Sequence, residues 1–184
     1  MKIVLVGIQG AGKSTQGNLL KEYYNIPYLS SGHIFRNLAR EKTPLGRYIK
    51  EVMNAGMLIP DERTTEIVQE YLDRDEYNKG YILDGFPRTV PQAKQFRNGV
   101  NAVISLNISD REALWRIAGR ITEGGEVRED ETLPAIRKRI EQFHEFTEPV
   151  IEYYRQKGIL EDIDGEQDVQ TIFNEIVKRL DTRQ

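Results

Sequence analysis

Cysteine is absent from this 184-residue sequence, which excludes disulfides and thiolate metal sites. Only His33 and His144 could offer an imidazole. That is too few for a typical zinc site, so no zinc is expected and any metal should be held by oxygen atoms. An excess of basic residues is missing too: 26 Lys and Arg face 29 Asp and Glu, for a net charge of -3. A nucleic-acid partner is therefore not expected, since it calls for a broad basic surface. No apolar run approaches the roughly 18 residues of a membrane span, and the start, "MKIVLVGIQG", reads straight into a strand and a glycine loop rather than a signal peptide. A cytoplasmic protein with no membrane partner is the expectation. Repeats, low-complexity tracts and Pro/Ser-rich linkers are also lacking, which argues for one domain with at most a small insertion.

What is present is a rhythm. Short apolar or β-branched runs at residues 3–6, 28–29, 81–83, 103–108 and 159–163 alternate with longer helical patterns. A run such as "IVLV" carries no polar alternation, as in a strand covered on both faces. The predicted fold class is α/β, with about five parallel strands covered by helices. The clearest predicted helix puts Leu133, Ile136, Ile140, Phe143, Thr147, Val150 and Tyr154 on one stripe, begins at Thr132 and is kinked by Pro149.

Within this rhythm, "GIQGAGKST" places Gly7, Gly12, Lys13 and Ser14 in the pattern G-x-x-x-x-G-K-[ST], after a strand and before an amphipathic stretch. Glycines let backbone N–H groups turn toward phosphate oxygens, the helix N-terminus adds positive potential, and the lysine supplies a mobile cation. The pattern implies a nucleoside triphosphate site of the P-loop fold. A GTPase is disfavoured, because the nearest approach to a guanine-reading Asn-Lys-x-Asp, "NKGY" at 78–81, lacks the acid. Instead "GYILDGFPRTVPQA" ends a buried strand on Asp84, where a carboxylate can hold magnesium or its waters, and puts Arg88 in the following turn.

Arg36, Arg88, Arg120, Arg128 and Arg139 come from five separate segments that could converge on the open end of one parallel sheet. One triphosphate needs fewer cations. Phosphoryl transfer between two nucleotides needs more, and fixed guanidiniums would then serve as both clamp and catalyst. Arg120 and Arg128 flank "ITEGGEV", a stretch too short and too polar to bury itself.

These residues resemble the adenylate kinase family nearly end to end: "GIQGAGKSTQ", "SSGHIFR", "GMLIPDE", "LDGFPRTVPQA", "RIAGR", "REDE", "RKRI" and "IDGEQDV" occur in order. The resemblance implies a P-loop kinase with a core of residues 1–29, 61–120 and 129–184, a helical acceptor insertion at about 30–60 and a short lid at about 121–128. It implies reversible, magnesium-dependent conversion of ATP and AMP to ADP by a monomer. On the ATP side it points to Gly10, Ala11, Gly12, Lys13, Ser14 and Thr15 around the phosphates, Arg120 on them, Arg116 on the adenine and a backbone contact near Gln167. On the AMP side it points to Arg36 and Arg88 on the phosphate, Ser31 and Gln92 on the adenine, the backbone of Met57, Leu58 and Ile59 along the base, and the loop of Gly85, Phe86 and Pro87. Arg128 and Arg139 would reach the phosphates as the lid shuts, supported by Asp130 and Glu131, and Ser14 with Asp84 would serve magnesium, partly through water.

Three departures stand out. Gln9 replaces a usual Pro, Ser14 a common Gly, and His33 the usual Asp that helps to order magnesium-bound water. Imidazole suits magnesium poorly, so His33 is expected to meet a phosphate when protonated. A UMP/CMP kinase is the alternative within the fold, against which Ser31 and Gln92 weigh because such kinases usually carry Ala and Asn there. A nucleotide-binding regulatory protein without turnover is the alternative outside the enzyme class.

Overall fold

The computed structural model describes residues 1–96, 99–122 and 132–183, with backbone only at 120–122. Its centre is a sheet of five parallel strands, β1 (Lys2–Val6), β2 (Tyr28–Ser30), β3 (Tyr81–Asp84), β4 (Ala102–Asn107) and β5 (Leu160–Asp164), in the order β2-β3-β1-β4-β5. The strands coincide with the predicted runs to within a residue or two at each end. Ile3, Val4 and Leu5 are fully buried, yet Val4 and Val6 join one core cluster while Ile3 and Leu5 join the other. Period-two alternation thus divides a uniformly apolar strand between two covered faces.

On one face lie α2 (Ser31–Arg40), α3 (Pro44–Asn54), α4 (Asp61–Leu72), α5 (Val90–Gln95) and α8 (Glu148–Gln156), which contribute Ile34, Ile49, Val68, Ala93 and Val150. On the other lie α1 (Lys13–Tyr24), α6 (Asp110–Thr122), α7 (Leu133–Gln142) and α9 (Val169–Asp181), which contribute Leu20, Ile117, Ile140 and Ile176. Each fully buried Val, Leu or Ile among them stabilises the fold by about 1.5–3 kcal/mol relative to leaving it exposed.

Helix starts are written locally. Thr43, Thr89 and Thr132 precede α3, α5 and α7, and each side-chain oxygen accepts from a backbone N–H three residues on, with a proline in the first turn. Asp168 caps α9 in the same way. At α1 the cap is Gly12, at φ 86°, which has no side chain to cap the first-turn N–H groups.

Two expectations about the long helix need correction. It is not one regular helix: a π-helical turn, Phe143–Thr147, lies between α7 and α8, and Pro149, which lacks an N–H, falls in the first turn of α8 directly after it. Leu133, placed on the buried stripe, is 69% exposed, because it stands at the first turn of α7, short of the core that Ile136 and Ile140 reach.

Candidate active site

The chain leaves β1 for α1 and later passes from β3 on one side of β1 to β4 on the other, so the carboxyl end of β1 is the point where the order of the sheet reverses. Ligands of open α/β sheets bind there. A cleft of about 1230 Å³ opens at this place, larger than the roughly 300–1,000 Å³ typical for one drug-sized ligand. All the residues expected at the site whose side chains are described line it, with one exception, Phe86. Phe86 is fully buried and packs edge-on against Phe96 at 5.2 Å, between the lining residues Gly85 and Pro87. Arg128, the lid at about 121–128, Asp130, Glu131 and the side chain of Arg120 lie outside the described residues.

The phosphate loop is shaped by close approach. Gly7 has φ 148°, and a Cβ there would stand 2.7 Å from the Leu106 carbonyl oxygen of β4. The loop therefore presses against the carboxyl end of β4 before turning into the start of α1. Those first N–H groups, aimed along the helix axis, form an anion site. Lys13 folds over the loop: its Nζ donates to the Gly7 and Ile8 carbonyls at 2.7 and 2.8 Å.

Across the cleft Arg88 is less fully partnered. Arg88 Nε donates to the Gly85 carbonyl at 2.7 Å, while its two terminal nitrogens meet no acceptor among the described residues. Burial, then the charges of Arg139 and Arg36, push its guanidinium below the ordinary arginine value, against a partial pull from Asp84. Arg139 bridges two regions, donating to Gln9 Oε1 of the loop at 3.4 Å and to the Met53 carbonyl at the end of α3 at 3.1 Å. Ser31 is buried and its hydroxyl donates to the Gly85 carbonyl at 2.8 Å. Gly85 itself, at φ 77°, could not carry a Cβ without approaching Ser31 Oγ to 2.8 Å. On the opposite wall Arg116 pairs with Glu112 at 2.6 Å, and Gln167 lies nearby in the same cleft.

Asp84 is 7% exposed; its Oδ2 accepts from the Tyr28 hydroxyl at 2.7 Å, and its Oδ1 has no partner among the described residues. Burial and the Asp84 carboxylate raise the Tyr28 phenol well above its ordinary value, so it stays a donor. An open, buried carboxylate oxygen fits a hard cation held mainly by phosphate and water. Magnesium is better suited to this oxygen set than a metal needing a protein cage, and among the described residues no cluster of His, Asp or Glu could form one.

Several contributors were not anticipated. Tyr28 holds Asp84, and Asp61 holds Gln92 at 2.8 Å. Thr147, in the π-helical turn, donates to the Arg88 carbonyl at 3.0 Å. Nothing in the sequence around Tyr28 signals its role, since it depends on β2 pairing with β3 in a register that sets Ser30 against Asp84. The Thr147 contact could have been suspected only from the polar residue in an otherwise apolar stripe.

A family model described as Adenylate kinase matches residues 5–159. Curated relatives are similar over almost the whole chain. An adenylate kinase of Rhizobium meliloti (strain 1021) is 40% identical over 191 positions, covering 98% of this chain and 100% of the relative. One of Syntrophotalea carbinolica (strain DSM 2380 / NBRC 103641 / GraBd1) is 38% identical over 212 positions, covering 98% of both chains. One of Brevibacillus brevis (strain 47 / JCM 6285 / NBRC 100599) is 36% identical over 208 positions, covering 96% of this chain and 97% of the relative.

Proposed function

The chain belongs to the adenylate kinase family, and on that premise we propose that it transfers the terminal phosphoryl group of ATP to AMP, giving two ADP, reversibly. The observation that carries this reading is the pairing of two cationic regions across one cleft: the start of α1 with Lys13, and Arg88, whose terminal nitrogens meet no acceptor among the described residues.

The division of labour we propose is supported by the way these residues line one cleft. Gly10 to Thr15 present backbone N–H groups to the ATP phosphates, and Lys13 leaves the loop carbonyls for them. Arg116 and Gln167 flank the ATP base, and Arg120 joins at the phosphates. Arg36 and Arg88 clamp the AMP phosphate, while Ser31, Gln92 and the backbone of residues 57–59 enclose its adenine. An oxygen of the AMP phosphate bonds to the terminal phosphorus of ATP, the bridging oxygen departs with ADP, and no base is needed because the acceptor is already an anion. Arg139, placed between loop and acceptor helices, neutralises charge spread over the transferring group, with Arg128 arriving from the lid. Asp84 and Ser14 would hold magnesium, partly through water; when bound it supplies neutralising charge to the phosphate oxygens.

We further propose an acceptor insertion at about 30–60 within the core, a short lid at about 121–128, and a cytoplasmic monomer. The Syntrophotalea relative aligns over 212 positions, more than the 184 residues here, so it carries segments this chain lacks, as a short lid requires. Among the described residues no helix is long and apolar enough to cross a membrane. His33 is exposed on the cleft wall, within reach of a phosphate role. A coupled assay of ATP with AMP, UMP, CMP and GMP tests the function: ADP should form with AMP far faster than with the others. Preference for a pyrimidine monophosphate would overturn the substrate, and no ADP from any would leave a binding protein.

A further inference from the structure

Gln92 is 1% exposed, and both ends of its side chain are tied. Its Oε1 accepts from the Arg88 backbone N–H at 2.7 Å, and its Nε2 donates to Asp61 Oδ1 at 2.8 Å. A backbone N–H can only meet the oxygen end of an amide, and a carboxylate can only meet the nitrogen end. The two contacts come from different elements, the Arg88 turn and the first turn of α4, and they fix one of the two orientations a glutamine amide can take. One amide N–H and one oxygen lone pair remain for a ligand.

We propose that Asp61 is a specificity-determining positioning residue: it locks the Gln92 amide so that the site takes a 6-aminopurine monophosphate and rejects a 6-oxopurine one. This rests on the reading of Gln92 as the residue that meets the AMP base. The chemistry is a matter of order along one edge. Adenine presents a donor at its 6-amino group beside an acceptor at N1, which pairs with an amide oxygen beside an amide N–H. Hypoxanthine and guanine present an acceptor at O6 beside a donor at N1, which needs the amide turned over. A free glutamine could turn and serve both. Here, turning would set the amide nitrogen against the Arg88 N–H and the amide oxygen against the Asp61 carboxylate, two repulsions at a nearly buried side chain. Asp61 does not line the cleft, so it acts through Gln92 alone.

The experiment compares kcat/KM for AMP and IMP in the wild type, Asp61→Ala and Asp61→Asn, with ATP saturating. A hydrogen bond to a charged group contributes about 1.5–3 kcal/mol, so Asp61→Ala should lower the AMP/IMP ratio by about tenfold or more. The change should appear as a higher KM for AMP with kcat little altered and the KM for ATP unmoved. Asp61→Asn, whose amide can turn to meet either end of the Gln92 amide, should relax the preference in part, to a ratio between those of wild type and Asp61→Ala. A ratio within about twofold of wild type in Asp61→Ala, with both KM values raised together, would mean that the carboxylate merely favours the start of α4, and the proposal fails. If Asp61→Ala does not fold, as judged by circular dichroism, the ratio in Asp61→Asn decides: a shift toward IMP supports the lock and an unchanged ratio overturns it. A wild type that does not use AMP would instead overturn the function itself, and this inference with it.

Discussion

The two sides of the cleft treat their cations differently. On the donor side Lys13 rests on two carbonyls of its own loop, so its charge is accommodated before any ligand arrives. On the acceptor side Arg88 is pressed below its ordinary value by burial and by Arg139 and Arg36, with no acceptor for its terminal nitrogens among the described residues. The donor loop is built for a flexible point charge that moves to its ligand. If Arg88 clamps the AMP phosphate as proposed, the arriving dianion would offset the burial and like-charge repulsion that now disfavour its charge.

The sharpest way to break this comparison is to remove each cation. Lys13→Ala and Arg88→Ala should both lower kcat/KM by roughly 10²-fold or more, since both act on transition-state charge; a loss below about fivefold in either would remove it from that role. Their thermal stabilities without nucleotide should diverge. Lys13→Ala loses two hydrogen bonds and should melt lower. Arg88→Ala loses one hydrogen bond, to the Gly85 carbonyl, but also removes a guanidinium whose charged form burial and Arg139 disfavour, and should fall less far below wild type. Equal destabilisation by both would erase the distinction.

A smaller effect is expected at Tyr28, beneath the boundary of the two sides. Tyr28→Phe leaves Asp84 without its hydroxyl partner, a hydrogen bond to a charged group that contributes about 1.5–3 kcal/mol, so the melting temperature should fall by roughly 5 °C. The magnesium concentration for half-maximal rate should rise with it. An unchanged melting temperature would show that Asp84 is held by other means.

The smallest effect lies away from the cleft and serves as a control. His144 contacts Glu148 at 2.7 Å and Asp110 at 3.0 Å, joining the π-helical turn to α6 and α8, and these partners raise its basicity against a weaker effect of burial. A group whose folded value is raised contributes stability fully below its ordinary value, near pH 6.5, and loses it as pH climbs through the raised one. The pairs are exposed, so His144→Asn should lower the melting temperature at pH 5.5 by less than about 4 °C and hardly at all at pH 8.5. A larger drop at the higher pH would reverse the assigned sign.

How far the sequence could be read depended on the range of the interactions involved. Strands, threonine-capped helix starts and the glycine loop rest on neighbours a few residues apart, and residues such as Thr132 and Gly12 declare them. The break between α7 and α8 escaped because a π-helical turn preserves the apolar stripe while inserting a residue. The order of the Gln92 amide escaped because Asp61 stands 31 residues away.

By itself, then, the sequence determined the parallel sheet, the phosphate loop and the set of cations available, because backbone conformation and hydrophobic period are local properties. Only the tertiary structure decided that Arg88, Arg139 and Arg36 crowd one another, that Tyr28 holds Asp84, and that Gln92 is held in one orientation. Electrostatic repulsion and hydrogen-bond order depend on distances between segments, which exist only once the sheet has brought those segments together.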